Sequence, residues 1–384
     1  MDPSTTFCPN PACPDKGRIG AGNTGIQSQK ERRYRCKTCD RTFAATKGTP
    51  YYRLHKGAWL MTVVLILLAH GCPPQAIVAA FGLDERTVTA WLHRAGAHSQ
   101  AVHTHLVETG DLDLGHVQAD EIRVKVRGGA VWQAMAVALP SRLWLGGAVS
   151  RTRDGALVTR LLARVRACAA SPALLLCVDG FAAYVGAARA VFRRPVYTGK
   201  RGRPRLALPE GFLLAQVVKS HQGRRLAEVT RRVVVGTEET VARAIAATRG
   251  GTAINTAYIE RLNATFRAHL SPLARRGRGI AHGTARVESG MWLVGGAYNV
   301  CWAHESLRLR AIGGRKWVER TPAMAAGLTD HPWTLEELLC YRVPPADPVA
   351  APRPPRGRRR GDGTLVPFPS ARTRPPHASP ERAA

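Results

Sequence analysis

The run Ala173–Val178, ALLLCV, is the segment that most restricts what this chain can fold into. Six consecutive apolar residues, bounded by Asp179 and Gly180, are typical of a short central strand that is buried on both faces. Such strands occur in α/β sheets, which bind their ligands at the carboxyl ends of the strands. Asp179 is therefore expected at the functional edge of a sheet, with a helix or turn cap before Gly180 as the alternative role.

The segments on either side predict the rest of this sheet. Short apolar and alternating runs separated by turn residues indicate strands, and a Gly128–Gly129 pair indicates a hairpin. Strand patterns cover residues 116–126, 131–140, 143–150 and 216–236, and helix patterns cover residues 155–169 and 181–192. Three strands, a helix, a central strand and a second helix suggest an α/β sheet of the ribonuclease-H type.

The charge of the chain indicates its partner. The 384 residues carry a formal net charge of +29, spread along the whole length. An excess of this size favours a polyanion, and nucleic acid above all. A membrane is the weaker choice, because the most apolar run, 58–69, is too short to span a bilayer and is not followed by a signal-peptide cleavage pattern.

Four of the nine cysteines have the spacing of metal ligands. Cys8 and Cys13 form one pair, and Cys36 and Cys39 form a second pair within YRCKTCDRTF. Four thiolates give zinc a closed tetrahedral shell, which is typical of a structural site. We therefore predict a zinc ribbon, with four unrelated thiols as the alternative. Unpaired cysteines fit a reducing, cytoplasmic location.

Residues 74–96 predict a helix-turn-helix. Gly82 permits a tight turn, Asp84 is a candidate N-cap, and apolar residues recur at helical spacing on both sides. Residues 85–94 would form the recognition helix, whose first turns carry the candidate DNA contacts Arg86, Thr87 and Thr89. A purely structural helix pair remains the alternative.

Two further acidic residues join Asp179 as candidates. Asp120 and Glu121 are neighbours in a strand and should point to opposite faces, so we expect only Asp120 to reach a shared metal site. Glu121 would be solvated or paired with an arginine. Glu260 lies on a helix that Asn255 or Thr256 caps, in a row with Asn263 and Arg267. An exposed polar face is the alternative for that row.

Three carboxylates suit phosphodiester chemistry with Mg²⁺ or Mn²⁺. Two hard cations about 4 Å apart can activate an oxygen nucleophile and stabilise the leaving oxygen. Magnesium prefers oxygen ligands and retains several waters, so few carboxylates are enough. Asp120 or Asp179 would bridge the metals, and Glu260 would complete the set from its helix.

With these residues identified, the chain resembles bacterial insertion-sequence DDE transposases that carry an N-terminal zinc ribbon and helix-turn-helix. The segments that carry the resemblance are YRCKTCDRTFAATKGTPYY, VQADEI, NTAYIERLNATFRAHLSPLARRGRGIAH, YNVCWAHESLR and RTPAMAAGLTDHPWTLEELL, which cover most of residues 8–340 in order. The resemblance implies a ribonuclease-H-like fold with Asp120, Asp179 and Glu260 as catalytic metal ligands, and it matches Arg267 to a basic residue common in such enzymes.

The stretch between the second and third carboxylates departs from the best-known relatives. Eighty residues, 180–259, separate Asp179 from Glu260, so we expect additional strands or a small insertion between 195 and 250. Glu288 is the alternative third ligand. Tyr298, Trp302 and His304 are expected to pack a C-terminal helix, with stacking on bases as the alternative. A basic loop with Arg275, Arg276 and Arg278 is expected to hold DNA near the metals.

The sequence therefore predicts four parts and one function. The parts are a zinc ribbon (1–50), a helix-turn-helix domain (51–110), a ribonuclease-H-like catalytic domain (111–343) and a disordered basic tail (344–384). The predicted function is a DNA transposase that binds double-stranded element ends and target DNA, as a homo-oligomer on DNA. The alternatives are a DNA-binding regulator with an inactive nuclease-like domain and a plain metal-dependent nuclease.

Overall fold

The structure is a computed structural model, and it describes residues 1–197, 203–223, 225–273, 281–311 and 316–345. It also places the backbone of two short strands, Arg358–Arg359 and Leu365–Val366. The predicted basic loop with Arg275, Arg276 and Arg278 lies outside the described residues, as does nearly all of the predicted tail.

A three-stranded antiparallel sheet forms the N-terminal module. Its strands, in spatial order, are β1 (Thr24–Ser28), β2 (Arg33–Cys36) and β3 (Thr42–Ala44). The rings of Tyr34 and Phe43 lie 5.8 Å apart and pack beside the cysteines as a small apolar core. A module with so little core needs a further cross-link to be stable.

Three helices follow, and the two helices predicted around Gly82 are among them. They are α1 (Ala58–Ala69), α2 (Pro74–Phe81) and α3 (Glu85–Leu106). Gly82 adopts a left-handed conformation with φ of 59° where α2 ends. Asp84 accepts a hydrogen bond of 2.7 Å from the Arg86 backbone N–H and so caps α3.

The prediction that the second helix ends at Arg94 is wrong, because α3 continues to Leu106. Gly96 lies in the middle of α3, where the helix crosses the helix at Thr284–Val300. A Cβ atom on Gly96 would lie 2.6 Å from the backbone of Ser289. Gly96 is thus a close-approach residue within a helix, which costs helix propensity but allows the two helices to touch.

A six-stranded mixed sheet forms the centre of the molecule. The elements in chain order are β4 (His116–Val126), β5 (Gly129–Ala138), β6 (Trp144–Ser150), α4 (Gly155–Cys168), β7 (Leu175–Asp179), α5 (Ala183–Phe192), β8 (Arg194–Val196), β9 (Arg205–Ala207), β10 (Leu213–Gln222) and β11 (Arg225–Val235). The short strands β8 and β9 pair only with each other. The expected strands and helices of residues 116–236 are therefore confirmed.

The order of strands in the sheet is β11, β10, β7, β4, β5, β6. Strands β4, β5 and β6 form an antiparallel meander, and β7 pairs in parallel with both β4 and β10. The antiparallel strand β11 extends the sheet beyond β10, which accounts for part of the long interval between the second and third carboxylates. The ALLLCV run is the central strand β7, as its uninterrupted apolar sequence predicted.

The remaining elements cover the sheet. They are α6 (Glu238–Ala247), α7 (Ala257–His269), α8 (Thr284–Val300), β12 (Leu309–Arg310), β13 (Trp317–Val318), α9 (Pro322–Ala325) and α10 (Leu335–Cys340). Helices α7 and α8 pack on one face of β4–β6 around Trp144 and Trp292, and α4 and α5 pack on the other face. No helix within the described ranges is both long enough and apolar enough to cross a membrane.

Candidate metal centre

The parallel pairing of β4 and β7 brings two carboxylates together. Ala119 and Val178 are partners in the register, so the next residues, Asp120 and Asp179, lie side by side where β7 ends. The Asp179 Oδ1 atom also accepts a hydrogen bond of 3.0 Å from the Phe181 backbone N–H. Asp179 therefore has the turn-capping role given above as the alternative, while its second oxygen, Oδ2, accepts a hydrogen bond of 2.8 Å from Arg153 Nη2.

Glu121 also belongs to this cluster, and the expectation that only Asp120 could reach it is wrong. One oxygen from each of Asp120, Glu121 and Asp179 lies within 4.8 Å of the others. The two neighbours do leave opposite faces of β4, since Asp120 contacts α7 and Glu121 lies beside α5. The carboxylates of Asp120 and Glu121 still come close to Asp179, because β7 ends at Asp179. Beyond that point no residue of β7 separates the two faces of the sheet.

Arg153 is the cation that holds two of these carboxylates. Its Nη2 atom lies 2.9 Å from Glu121 Oε2 and 2.8 Å from Asp179 Oδ2. The guanidinium also stacks over the ring of Phe181, with 4.2 Å between Cζ and the ring centroid. The Glu121 side chain is fully buried, and a buried carboxylate of this kind needs such a partner. The alternative role given above for Glu121, pairing with an arginine, is confirmed.

Asp120 lies in a setting that disfavours its charge. Asn263 donates from Nδ2 to Asp120 Oδ2 over 2.7 Å, and the Glu121 backbone N–H donates to Oδ1 over 2.8 Å. Burial nevertheless raises the pKa of Asp120 to about 7, and the nearby charges of Asp179 and Glu121 add to that rise. Burial also raises the pKa of Glu121. A bound cation would reverse both effects.

Unsatisfied oxygens at the site support a cation there. Glu121 Oε1 and Asn263 Oδ1 are both buried without a hydrogen-bond partner among the described residues. The buried hydroxyl of Tyr184 lies beside Glu121 and interacts with its side chain at loose hydrogen-bond geometry, so Asn263 Oδ1 is the acceptor here with no donor beside it in the described part of the chain. A buried acceptor without a donor costs free energy of folding. Coordination of a hard cation would satisfy such an oxygen.

Glu260 is close to the cluster but not part of it. It lies in the first turn of α7, half exposed, where Lys219 Nζ on β10 approaches its Oε1 atom to 2.6 Å. Thr256 Oγ1 donates to the same oxygen over 3.0 Å. The charge of Glu260 contributes to the raised pKa of Asp120, which places it near that residue. Glu260 would have to leave Lys219 in order to share a metal with Asp120.

The other candidate site residues on α7 and α8 differ in where they lie relative to Asp120. Asn263 follows Glu260 by one turn and bonds directly to Asp120, and Arg267 follows by a further turn and is half-buried. Glu288, the alternative third ligand, is exposed on α8. The residue next to it, Ser289, bonds to His93 of α3, so this part of α8 faces α3. Glu260 is therefore the better candidate.

The four predicted zinc ligands lie together. Their sulfur atoms are all within 4.8 Å of one another, with Cys8 and Cys39 at 3.6 Å and Cys13 and Cys36 at 3.8 Å. A hydrogen bond from Asn10 lowers the pKa of Cys39 to about 6, whereas burial raises the pKa of Cys8 to about 12. A shared metal ion would allow all four to be thiolates.

The first turns of α3 present the predicted DNA contacts. Arg86 is exposed, and Thr87 and Thr89 are half-buried, while Val88 and Trp91 are buried on the inner face. Glu85 pairs with Arg286 of α8 over 3.3 Å, which fixes the start of α3 against the sheet domain. The predicted contacts thus lie on the outer side of a firmly held helix.

Neither a known protein-family model nor a curated protein matches this chain. The functional assignment therefore depends on the geometry of the sites.

Three residues at the centre were missed by sequence reasoning. Arg153 follows strand β6, Lys219 lies in β10, and Tyr184 lies in α5. All three reach the carboxylates only through tertiary contacts, so no local pattern marks them. The sequence could have predicted that Glu121 joins the cluster. Its long side chain is next to Asp120 and can bend around the end of the neighbouring strand.

Proposed function

We propose that this chain is a DNA transposase that binds the ends of a mobile element, cleaves them and joins them to target DNA. The observation that carries the proposal is the side-by-side placement of Asp120 and Asp179 at the end of β7, with the charge of Glu260 on α7 near enough to act on Asp120. Phosphodiester chemistry with two divalent metals requires such a group of carboxylates. Their position at the carboxyl end of a central parallel strand is where α/β sheets bind ligands.

The order of strands supports a ribonuclease-H-like assignment for this sheet. A three-stranded antiparallel meander, β4–β6, is followed by parallel strands β7 and β10 on the other side of β4, with helices between them. Such a fold would place the first carboxylate within β4, the second at the end of β7 and the third on a helix that packs on a face of the sheet. The positions of Asp120 in β4, Asp179 at the end of β7 and Glu260 on α7 support this assignment.

Each residue at this centre would have a separate role. Asp120, Asp179 and Glu260 would hold Mg²⁺ or Mn²⁺, which when bound activates water or a 3′ hydroxyl and stabilises the leaving oxygen. Asn263 orients the Asp120 carboxylate through its 2.7 Å hydrogen bond. Arg153 fixes Asp179 and neutralises Glu121. Arg267, two turns from Glu260 on α7, is suited to a DNA phosphate.

The N-terminal parts would supply DNA binding. Zinc bound by Cys8, Cys13, Cys36 and Cys39 would stabilise the small ribbon. The first turns of α3, with Arg86 and Thr87 on the outer side, would read the ends in the major groove. The charge of +29 adds affinity for double-stranded DNA of any sequence. These features also fit the cytoplasm and a homo-oligomer assembled on two DNA ends.

Carboxylate substitutions test the proposal. The variants Asp120→Asn, Asp179→Asn and Glu260→Gln keep the size of each side chain and remove its charge. Each should abolish cleavage and joining of DNA that carries the element ends in Mg²⁺, and should retain end binding in a gel-shift assay. The candidate end DNA is any inverted repeat that sequencing of the source DNA finds on both sides of the coding sequence.

Glu288→Gln is the matched control, because it removes an exposed carboxylate on a neighbouring helix. It should cleave at the wild-type rate. An inactive Glu288→Gln together with an active Glu260→Gln would move the third ligand to Glu288. Sequence-specific binding without any cleavage by the wild type would support the regulator, and cleavage without joining would support the plain nuclease.

A further inference from the structure

A second polar cavity lies on the opposite side of α7 from Glu260. It has a volume of about 610 Å³ and is lined by α7, by the connection between β5 and β6, and by the segment that follows α8. Tyr258, Arg261 and Thr265 line it from α7. At 100° per residue these three side chains share one face of the helix, whereas Glu260 lies on the other face. The cavity is therefore separate from the metal centre.

The lining of this cavity is positively charged. Arg142, Arg261 and Arg308 contribute three guanidinium groups, and Glu305 is the acidic residue among the lining residues. Glu305 is exposed and pairs loosely with Arg308 over 3.3 Å. Burial, and next the charges of Arg142 and Arg261, lower the pKa of His304, which is a further sign of the positive potential in this cavity. The cavity thus favours an anionic ligand.

Two aromatic rings give the same cavity a flat apolar surface. The guanidinium of Arg142 stacks on Tyr258 with 3.9 Å between Cζ and the ring centroid, and that of Arg308 stacks on Trp317 at 4.4 Å. The Tyr258 hydroxyl donates to the Arg249 carbonyl over 3.2 Å, which holds the ring in place. A guanidinium has five N–H donors, so Arg142, which gives one to the Leu139 carbonyl, and Arg308, which pairs with Glu305, each retain donors that can bind phosphate.

We propose that this cavity binds one unpaired nucleotide of a DNA strand, with its base layered on the Arg142–Tyr258 or the Arg308–Trp317 pair and its phosphate near the guanidinium groups. Aromatic platforms combined with basic groups are the general means of binding unstacked bases. A base within a duplex has both faces covered, so only an unpaired or extruded base can occupy the site. The volume is within the range of about 300–1,000 Å³ that is usual for small-ligand sites.

The proposal extends the proposed function, because it gives the transposase a second DNA contact. The same helix, α7, would carry a metal ligand on one face and a nucleotide on the other. An unpaired base held behind α7 would fix the path of the strand next to the metal centre. The site would therefore favour DNA that is distorted or single-stranded near the point of cleavage.

Photo-crosslinking tests this assignment at the level of single residues. The zinc-loaded, full-length protein is irradiated with a 12-nucleotide single strand that contains one 5-iododeoxyuridine, and the crosslinked peptide is identified by mass spectrometry. We expect a crosslink at Trp317 or Tyr258. A fully paired duplex of the same sequence should give none there, and a duplex with one bulged iododeoxyuridine should restore it.

Affinity measurements with variants provide the second arm. Trp317→Ala and Arg261→Gln should each weaken binding of the single strand by at least about fivefold. Arg243→Gln on α6 is the matched control, because it removes one exposed charge outside the cavity and should change the affinity by less than about twofold. Circular dichroism spectra that match the wild type exclude misfolding as the cause.

The outcomes separate this proposal from the proposed function. Asp120→Asn should keep the crosslink even though it cannot cleave, so a crosslink is informative whether or not the protein is a transposase. Crosslinks confined to the N-terminal modules, or equal losses in Arg243→Gln and Arg261→Gln, would overturn the assignment. Displacement of the strand by millimolar dTMP as effectively as by an unlabelled strand would make a free mononucleotide the occupant and refute the strand contact.

Discussion

Asp120→Asn should stabilise the metal-free protein at alkaline pH. The folded pKa of Asp120 is about 7, against an ordinary value of 3.8, chiefly because the group is buried beside other carboxylates. A raised acid pKa means that the protonated form stabilises the fold below pH 4, and this stabilisation is lost as the pH rises through 7. Three pKa units correspond to about 4 kcal/mol, of which roughly 2–3 kcal/mol is lost between pH 5 and 8.

The assay is thermal unfolding at a series of pH values in buffer freed of Mg²⁺ and Mn²⁺ but with the zinc retained. The melting temperature of Asp120→Asn, relative to the wild type, should rise by roughly 5–10 °C between pH 5 and pH 8. Asp113→Asn is the control, because it changes an exposed carboxylate outside the cluster and should show no such trend. Added Mn²⁺ at pH 8 should stabilise the wild type more than Asp120→Asn. A difference that does not depend on pH would refute the reasoning.

Three further predictions follow from the sites. Cys36→Ser should lose stoichiometric zinc, measured by mass spectrometry under native conditions, and with it end-specific binding; a wild type without zinc would refute the ribbon. Arg86→Ala should weaken binding to element ends more than binding to random DNA, measured by competition. Equal losses of affinity for the two DNAs would show that α3 does not recognise the base sequence. Lys219→Gln should tighten Mn²⁺ binding by about 1.4- to fivefold in calorimetry, because the exposed ion pair it removes is worth about 0.2–1 kcal/mol. That gain should be absent in Glu260→Gln.

The sequence predicted the sheet well, because strand periodicity and turn residues are local signals. The apolar run before Asp179 became β7, and the alternating residues around Asp120 became β4. The helix pair around Gly82 was equally predictable, because the left-handed turn and the Asp84 cap both depend on residues a few positions apart. The order of the strands in the sheet could not be predicted from local patterns, because it depends on pairing between segments that are far apart in the sequence.

Long-range contacts explain what the sequence did not reveal. Gly96 has no local mark of its role, which depends on the approach of Ser289 from another helix. The convergence of Glu121 on the carboxylate cluster depends on where the neighbouring strand ends, and the neutralisation of Glu121 depends on Arg153 from a separate loop. The lining of the second cavity, from Arg142 to Trp317, comes from segments far apart in the chain.

The position of the divalent metal at the leaving oxygen is the central claim, and one substituted DNA tests it. Sulfur replaces the 3′ bridging oxygen at the scissile phosphodiester of the end DNA. Magnesium prefers oxygen ligands, whereas Mn²⁺ accepts sulfur more readily. The account predicts that cleavage in Mg²⁺ falls by about a hundredfold or more and that Mn²⁺ restores most of it. Equal cleavage of the oxygen and sulfur substrates in Mg²⁺, or equal slowing in both metals, would contradict it.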